Sequence, residues 1–185
     1  MKTYKDFLLV SDLDGTLLNS AKTVSEGNKA ALNEFVAGGG RFAIATGRTP
    51  DNSRGYLKGV AVNSPSIFFF FFLLADLSTG KVLKSCSLEG VLCRKFAAFC
   101  LQYFPQVCLE IYTAEGLYIL SAPQYDDPRL TVEQWDYQHL SLEAAASLAW
   151  LKFFLCAPRP TLEQVLSAAE QLRLTEISTN FYSEV

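Results

Sequence analysis

The sequence predicts an α/β fold: a parallel-sheet domain over residues 1–82, followed by an α+β domain over residues 83–185. Three observations carry this. Phe7–Val10 and Phe42–Ala45 are short, continuous apolar runs, the pattern of strands buried on both faces of a parallel sheet. Between them Ala31, Leu32, Phe35 and Val36 fall on one helical face, so the order is strand, helix, strand. Past about residue 82 the pattern changes to amphipathic helices and hairpin-spaced strands, the order of an antiparallel α+β domain.

Taken in order, Ser25 is placed to cap the first helix and Gly38-Gly39-Gly40 to end it. The second strand stops at Thr46-Gly47-Arg48, and Pro50 suits the first turn of a short helix ending near Lys58-Gly59. Ile67–Leu74 reads as a third buried strand, with a turn at Leu77-Ser78-Thr79-Gly80 leading into Lys81-Val82-Leu83. In the second domain Leu88, Leu92, Phe96, Phe99, Cys100 and Tyr103 share a helical face. Val107–Thr113 and Leu117–Ser121 form a hairpin around Ala114-Glu115-Gly116, and residues 122–140 read as a polar loop. Leu151–Cys156 is a strand, Thr161 with Gln164 a capping box for a helix burying Leu162, Val165, Leu166 and Ala169, and Thr175–Tyr182 a half-exposed strand.

Composition narrows the function. A net charge of −3 gives no support for a nucleic-acid surface, which needs clustered Lys and Arg. The longest apolar run, Ile67–Ala75, is far short of the roughly 20 residues that span a bilayer, so no membrane partner is expected. Met1–Asp6 has no apolar signal-peptide core. The 5 cysteines lack CxxC spacing; Cys93 and Cys100, seven apart on a helix, read as buried thiols, and a reducing cytoplasm is expected.

The chemistry is concentrated in Asp12-Leu13-Asp14-Gly15-Thr16. In extended backbone, residues two apart point the same way, so Asp12 and Asp14 can face one pocket beyond the strand's carboxyl end. One carboxylate can attack phosphorus, and a second can protonate the leaving group and then activate water. Gly15 allows backbone N–H groups close to a phosphate. Asp-x-Asp-Gly alone is equally a turn with capping aspartates. Thr46-Gly47-Arg48 adds a second strand end at the same sheet edge, with a hydroxyl to donate to a phosphate oxygen; its bland reading is a cap for the next turn.

Asp-Leu-Asp-Gly-Thr-Leu-Leu with Phe-Ala-Ile-Ala-Thr-Gly-Arg resembles the Cof-type, sugar-phosphatase-like branch of the haloacid dehalogenase (HAD) superfamily. The resemblance covers residues 5–83 through motifs and 84–185 more loosely, as an inserted α+β cap on a Rossmann-like core. It implies a Mg2+-dependent phosphomonoester hydrolase working through an aspartyl-phosphate on small molecules such as sugar phosphates. Asp12 would be nucleophile and metal ligand, and Asp14 general acid/base and metal ligand through its carbonyl. Gly15, Thr46 and Gly47 would hold the phosphate, with Arg48 supporting that loop or the substrate.

Three departures qualify the resemblance. The family's lysine and its acidic Gly-Asp-x-x-Asn-Asp-like motif follow the cap, and no residue here matches them; the chain is expected to be an N-terminal piece or a degenerate copy, so that the core is incomplete. None of the lysines has a matching context. The Phe7–Val10 strand then becomes an exposed apolar edge. Phe69–Leu74 puts bulk where relatives turn through Asn-Gly. The alternative to a phosphatase is a non-catalytic relative that binds phosphate or a partner. A receiver-like phosphoacceptor is disfavoured, because its aspartate would follow the third strand. Asp126-Asp127 and His139 fit loop and packing roles, and Tyr112, Tyr118, Tyr125, Trp135, Tyr137 and Trp150 are mostly core candidates that could also line a substrate face.

Overall fold

The computed structural model describes residues 3–69, 71–88, 90–132 and 135–171. The chain forms two compact units, Met1–Cys86 and Ser87–Val185.

In the first unit, β1 (Leu8–Ser11) and β2 (Arg41–Ile44) pair in parallel from Leu8↔Arg41 to Ser11↔Ile44. The connection is α1 (Glu26–Ala37), whose first free N–H groups are capped by the Ser25 hydroxyl, which accepts from Asn28 N at 3.2 Å. Gly40 ends this segment against the Phe35 ring; a Cβ there would lie 2.5 Å from Cε1, so only glycine fits. After β2, Thr49 caps α2 (Pro50–Tyr56) and Pro50 occupies its first turn, as expected. β3 (Ser66–Phe68) extends the parallel arrangement through the bridge Ala45↔Ile67. Phe42, Ile44 and Phe68 are fully buried.

Two sequence expectations fail here. Ile67–Leu74 is not one strand but two, β3 and β4 (Leu73–Ala75), folded antiparallel with Phe68 opposite Leu73. The Phe tract makes the reversal, with Phe69 at φ 54° and Phe71 at φ 86°. β5 (Val82–Ser85) completes the meander through a turn in which Asp76 Oδ1 accepts from Ser78 N and Thr79 N, both at 2.9 Å. The second is the buried reading of the Phe7–Val10 run, which gives way to the exposed apolar edge also expected for this strand. Phe7–Val10 does enter β1, but Phe7 is 63% exposed and Leu8 53%, because among the described residues β1 pairs with β2 alone.

The second unit is a four-stranded sheet in the order β8-β7-β6-β9. Its strands are β6 (Cys108–Tyr112), β7 (Leu117–Ile119), β8 (Tyr137–His139) and β9 (Lys152–Cys156). α3 (Gly90–Tyr103) precedes it and buries Cys93, Phe96, Ala97 and Cys100; Tyr103 is exposed rather than on that face. Residues 122–140 are not a bare loop: they hold a 3-10 turn (Pro123–Tyr125), α4 (Pro128–Val132) and β8, which runs parallel to β7. α5 (Leu142–Ala145) follows.

α6 runs Arg159–Gln171 and buries Val165 and Ala169, but without the expected capping box. The helix begins three residues earlier, at Arg159, with Pro160 in its first turn, where a missing N–H costs nothing. Thr161 is therefore inside the helix, and its N–H donates to Pro158 O at 2.9 Å. Alternation along β6 and β9 sends Leu109, Ile111, Phe153 and Leu155 to the helix-covered core, and Glu110, Tyr112, Lys152 and Phe154 to the other face. The Thr175–Tyr182 strand lies outside the described residues. No helix among the described residues is long and apolar enough to cross a membrane.

Candidate functional site

The parallel pairing of β1 and β2 puts Asp12 and Thr46 just beyond the carboxyl ends of adjacent strands. Asp12 does not continue the strand into Asp14 as an extended ribbon. Residues Leu13–Leu17 form a single wide helical turn closed by Leu18 N donating to Leu13 O at 2.9 Å, kinked at Asp14 (φ −74°, ψ 126°) and Gly15 (φ 71°). Leu13 and Leu17 anchor the turn in the core. Gly15 meets no atom within 4 Å of an added Cβ, so glycine is required there by its left-handed backbone and not by crowding.

The two carboxylates consequently have different surroundings. Asp12 is exposed, and its Oδ1 accepts from Leu13 N–H at 2.7 Å. Asp14 is held by two cations. Arg48 grips both of its oxygens, Nε to Oδ2 at 2.6 Å and Nη2 to Oδ1 at 2.9 Å, and Lys22 Nζ lies 2.9 Å from Oδ1. The Arg48 hydrogen bonds, opposed by burial and reinforced by Lys22, hold the Asp14 carboxyl down at about 2. Arg48 is itself fixed: Nη1 donates to Asn52 Oδ1, and the guanidinium lies 4.4 Å from the Tyr56 ring centroid.

Thr46 is buried, and its hydroxyl oxygen accepts from Arg48 N at 3.3 Å, so it shapes the turn of its own motif. That leaves the hydroxyl proton as a donor, and Gly47 is half-buried between the two side chains. Phe69 N–H donates to Arg48 O at 3.4 Å, joining the end of β3 to the same loop. The structure thus brings Asp14 and Arg48 into contact and sets Asp12 and Thr46 at neighbouring strand ends.

A hard divalent cation fits the chemistry at Asp12 and Asp14, since Mg2+ takes one or two carboxylates plus water and phosphate oxygens. No group of three His, Cys, Asp or Glu side chains among the described residues is placed to hold a metal on its own.

Sequence reasoning missed three residues here. Lys22 arrives from the loop after the wide turn, and no context in the linear sequence marked it. Asn52 and Tyr56 follow Arg48 at intervals of four, a spacing that would have pointed to one helical face supporting the arginine.

The second unit has an ionic cluster of its own. Glu110 is fully buried, and both its oxygens accept from Arg129 Nη2, at 3.1 and 3.2 Å; the Tyr112 hydroxyl donates to Glu110 as well. Arg129 Nε also donates to Asp127 Oδ2 at 2.9 Å. Asp126 Oδ2 accepts from Tyr137 Oη at 3.1 Å and lies 3.0 Å from His139 Nε2. Asp126, Asp127 and His139 are therefore engaged within this unit. Tyr112 and Trp150 are core, whereas Tyr125 is exposed.

A profile of the haloacid dehalogenase-like hydrolase family matches residues 9–184. Among solved structures, a haloacid dehalogenase-like hydrolase from Bacteroides thetaiotaomicron superposes with a TM-score of 0.78 at 19% identity, covering 98% of this chain and 68% of that one. A Thermotoga maritima protein gives 0.75 at 18% identity, over 92% of this chain and 63% of its own. A HAD subclass IIB sugar phosphatase gives 0.68 at 17% identity, over 87% and 62%. At these identities the likeness is one of fold, and the chain spans about two thirds of those proteins. The endoribonuclease YBEY, chloroplastic, of Arabidopsis thaliana is 31% identical over 101 residues, 50% of this chain and 17% of that protein. With the family profile spanning nearly its whole length and both strand-end motifs meeting in space, the chain belongs to the haloacid dehalogenase-like hydrolase family.

Proposed function

We propose that the chain carries the nucleophile half of a phosphomonoester hydrolase that acts on small molecules such as sugar phosphates through an aspartyl-phosphate. The observation that supports this best is the pair of unlike carboxylates: Asp12 exposed and, among the described residues, in no ion pair, Asp14 locked between Arg48 and Lys22. Attack needs an unshielded carboxylate oxygen, which Asp12 offers, and proton transfer needs a separate group nearby.

In this reading residues 1–82 are the core and 83–185 a cap. Asp12 attacks phosphorus, the P–O bond to the leaving group breaks, and Asp14 supplies its proton; in the second half Asp14 takes a proton from the water that hydrolyses the acyl phosphate. The Arg48 clamp keeps Asp14 ionised, which suits the second half and opposes the first. Protonating the leaving group therefore requires the clamp to loosen as substrate binds. Thr46, with its hydroxyl proton, and the Gly15 and Gly47 backbones hold the phosphate. Mg2+ on Asp12 and the Asp14 carbonyl would neutralise phosphate charge.

The test is turnover of a panel of sugar phosphates with Mg2+ in the wild type and in Asp12→Asn. Activity confined to the wild type is expected, and activity that survives in Asp12→Asn sinks the reading. The second reading, a phosphate-binding relative without turnover, is favoured by the low proton affinity of Asp14. It predicts phosphate binding with no hydrolysis above background.

A further inference from the structure

We propose that Lys22 is a phosphate-binding residue of this site, parked on Asp14 in the ligand-free chain and shared with a phosphate oxygen when a monoester binds. The inference rests on the phosphatase reading above for the position of the phosphate, but its own grounds are different.

Lys22 is surplus to the neutralisation of Asp14. Arg48 already donates to both Asp14 oxygens, and Lys22 shares Oδ1 with Arg48 Nη2, each at 2.9 Å. The Lys22 side chain is 50% exposed and the Arg48 side chain 12%. A bidentate, enclosed arginine pair is the strong, oriented one, whereas an exposed lysine pair adds little. Arg48 is also spent: Nε and Nη2 go to Asp14, Nη1 goes to Asn52, and the ring of Tyr56 backs the guanidinium. An ammonium has three donors, and Asp14 accounts for one of them in Lys22.

The loop is built to put a lysine there. Lys22 has φ 56°, a left-handed conformation that Asn or Gly would adopt more easily. It is kept in place by Asn19. The Asn19 Oδ1 accepts from Ala21 N at 3.0 Å, Thr23 N at 3.0 Å and Thr23 Oγ1 at 3.1 Å. Asn19 N–H donates to Thr23 O at 3.0 Å, and Lys22 N–H to Asn19 O at 2.9 Å. Backbone strain fixed by such a turn, under a side chain that reaches the motif carboxylate, is the kind of outlier that marks a ligand clamp.

A dianionic phosphate beside Asp14 has more charge to offer Lys22 than a carboxylate already satisfied by arginine. The ligand class is a phosphate monoester, with inorganic phosphate as its simplest member. The test measures the affinity for inorganic phosphate by calorimetry in one Mg2+-containing buffer, for wild type, Lys22→Gln and Lys22→Arg, alongside turnover. Lys22→Gln should weaken phosphate binding about tenfold and raise KM more than it lowers kcat, whereas Lys22→Arg should stay within about threefold of wild type. Lys22→Gln removes the charge and keeps an unbranched polar side chain one atom shorter, and unchanged circular dichroism confirms that the loop is intact. If the wild type binds phosphate and Lys22→Gln binds it equally well, the role of Lys22 is refuted while the phosphatase reading stands. If the wild type neither binds phosphate nor hydrolyses any monoester, both fall together.

Discussion

β1 and β6 are both short apolar strands, and each unit also holds a cluster of opposite charges, yet burial treats the two units in opposite ways. All five residues of β6 are buried between β7 and β9, while Phe7–Val10, leading into and forming β1, is 44–63% exposed beside a single partner among the described residues. The charges follow the same division. Glu110 is fully enclosed by Arg129 and Tyr112, whereas Asp14, Arg48 and Lys22 sit where water reaches part of the cluster. A cluster built around a carboxylate sealed inside a sheet acts on the stability of its own fold. One that stays partly open at the carboxyl ends of parallel strands can exchange a side chain for a ligand.

The sharpest way to break this comparison is to remove one charge from each cluster. Arg129→Met leaves Glu110 and Asp127 enclosed without the arginine that bonds both, and breaking a buried pair costs about 3 kcal/mol. The expected result is a clear loss in urea unfolding of the signal from Trp150, which lies in this unit's core. Arg48→Gln, in the half-open cluster, should cost less than this in urea unfolding followed by circular dichroism, because Asp14 keeps Lys22 and its contact with water. It should nevertheless impair phosphate-ester turnover strongly, because Asp14 loses the side-chain clamp that orients it. Equal stability losses in the two variants would erase the distinction drawn between the clusters.

A smaller effect concerns pH. Asp14 is held at about 2 by Arg48 and Lys22, below its value of 3.8 as a free side chain. A carboxyl depressed on folding contributes stability above the unfolded pKa, and loses it as pH falls through the folded one. The window is therefore from about pH 4 down to about 2. Carboxyl-carbon NMR of the metal-free protein should show Asp14 titrating near the bottom of that window. In Arg48→Gln its midpoint should move up toward the ordinary value, since the largest cause has gone. An unmoved midpoint would mean that the clamp is not what holds Asp14 ionised.

These contrasts also mark what the sequence could and could not tell. The βαβ unit was legible because Ser25, the Gly38–Gly40 stop and two apolar runs all agree, and Asp14 meeting Arg48 confirms that the motifs share one edge. The apolar run Phe7–Val10 by itself suggests burial, because apolarity reports what a strand would bury, whereas the unmatched family motifs pointed to the exposed edge that is found. The wide turn at Leu13–Leu17 escaped because its hydrogen bond spans five residues, a period that no strand or helix template tests. Lys22 escaped for a related reason: its reach to Asp14 depends on a left-handed residue inside an Asn19-centred turn, and nothing in an isolated lysine announces that.

The exposed side of the comparison can be sharpened with a milder change. Leu9→Thr in β1 puts a β-branched residue, suited to a strand, in place of an apolar residue that is 44% exposed. Stability should move by less than about 0.5 kcal/mol, as for surface substitutions generally. Light scattering should fall at fixed concentration, because an unpaired apolar edge is a template for association. The corresponding change on the other side, Leu109→Thr in β6, should unfold the second unit instead of improving solubility, since Leu109 is fully buried.

The smallest effect belongs to the β3–β4 turn. Phe71 is held at φ 86° with its ring 75% exposed, so it carries left-handed strain without repaying it through packing. A non-glycine residue in that region costs about 1–2 kcal/mol relative to the right-handed basin. Glycine there removes the cost, while its freer unfolded chain takes back up to about 1 kcal/mol. Phe71→Gly should therefore be neutral to about 1 kcal/mol stabilising, read as an unchanged or higher melting temperature for the first unit. Phe69 provides the control: its φ is 54°, but its ring is buried and its N–H bonds to Arg48 O. Phe69→Gly should lose more in packing than it gains in backbone relief, and should loosen the Arg48 loop as well. If Phe71→Gly destabilised the chain as much as Phe69→Gly, the exposed ring would have a packing role that its 75% exposure denies it.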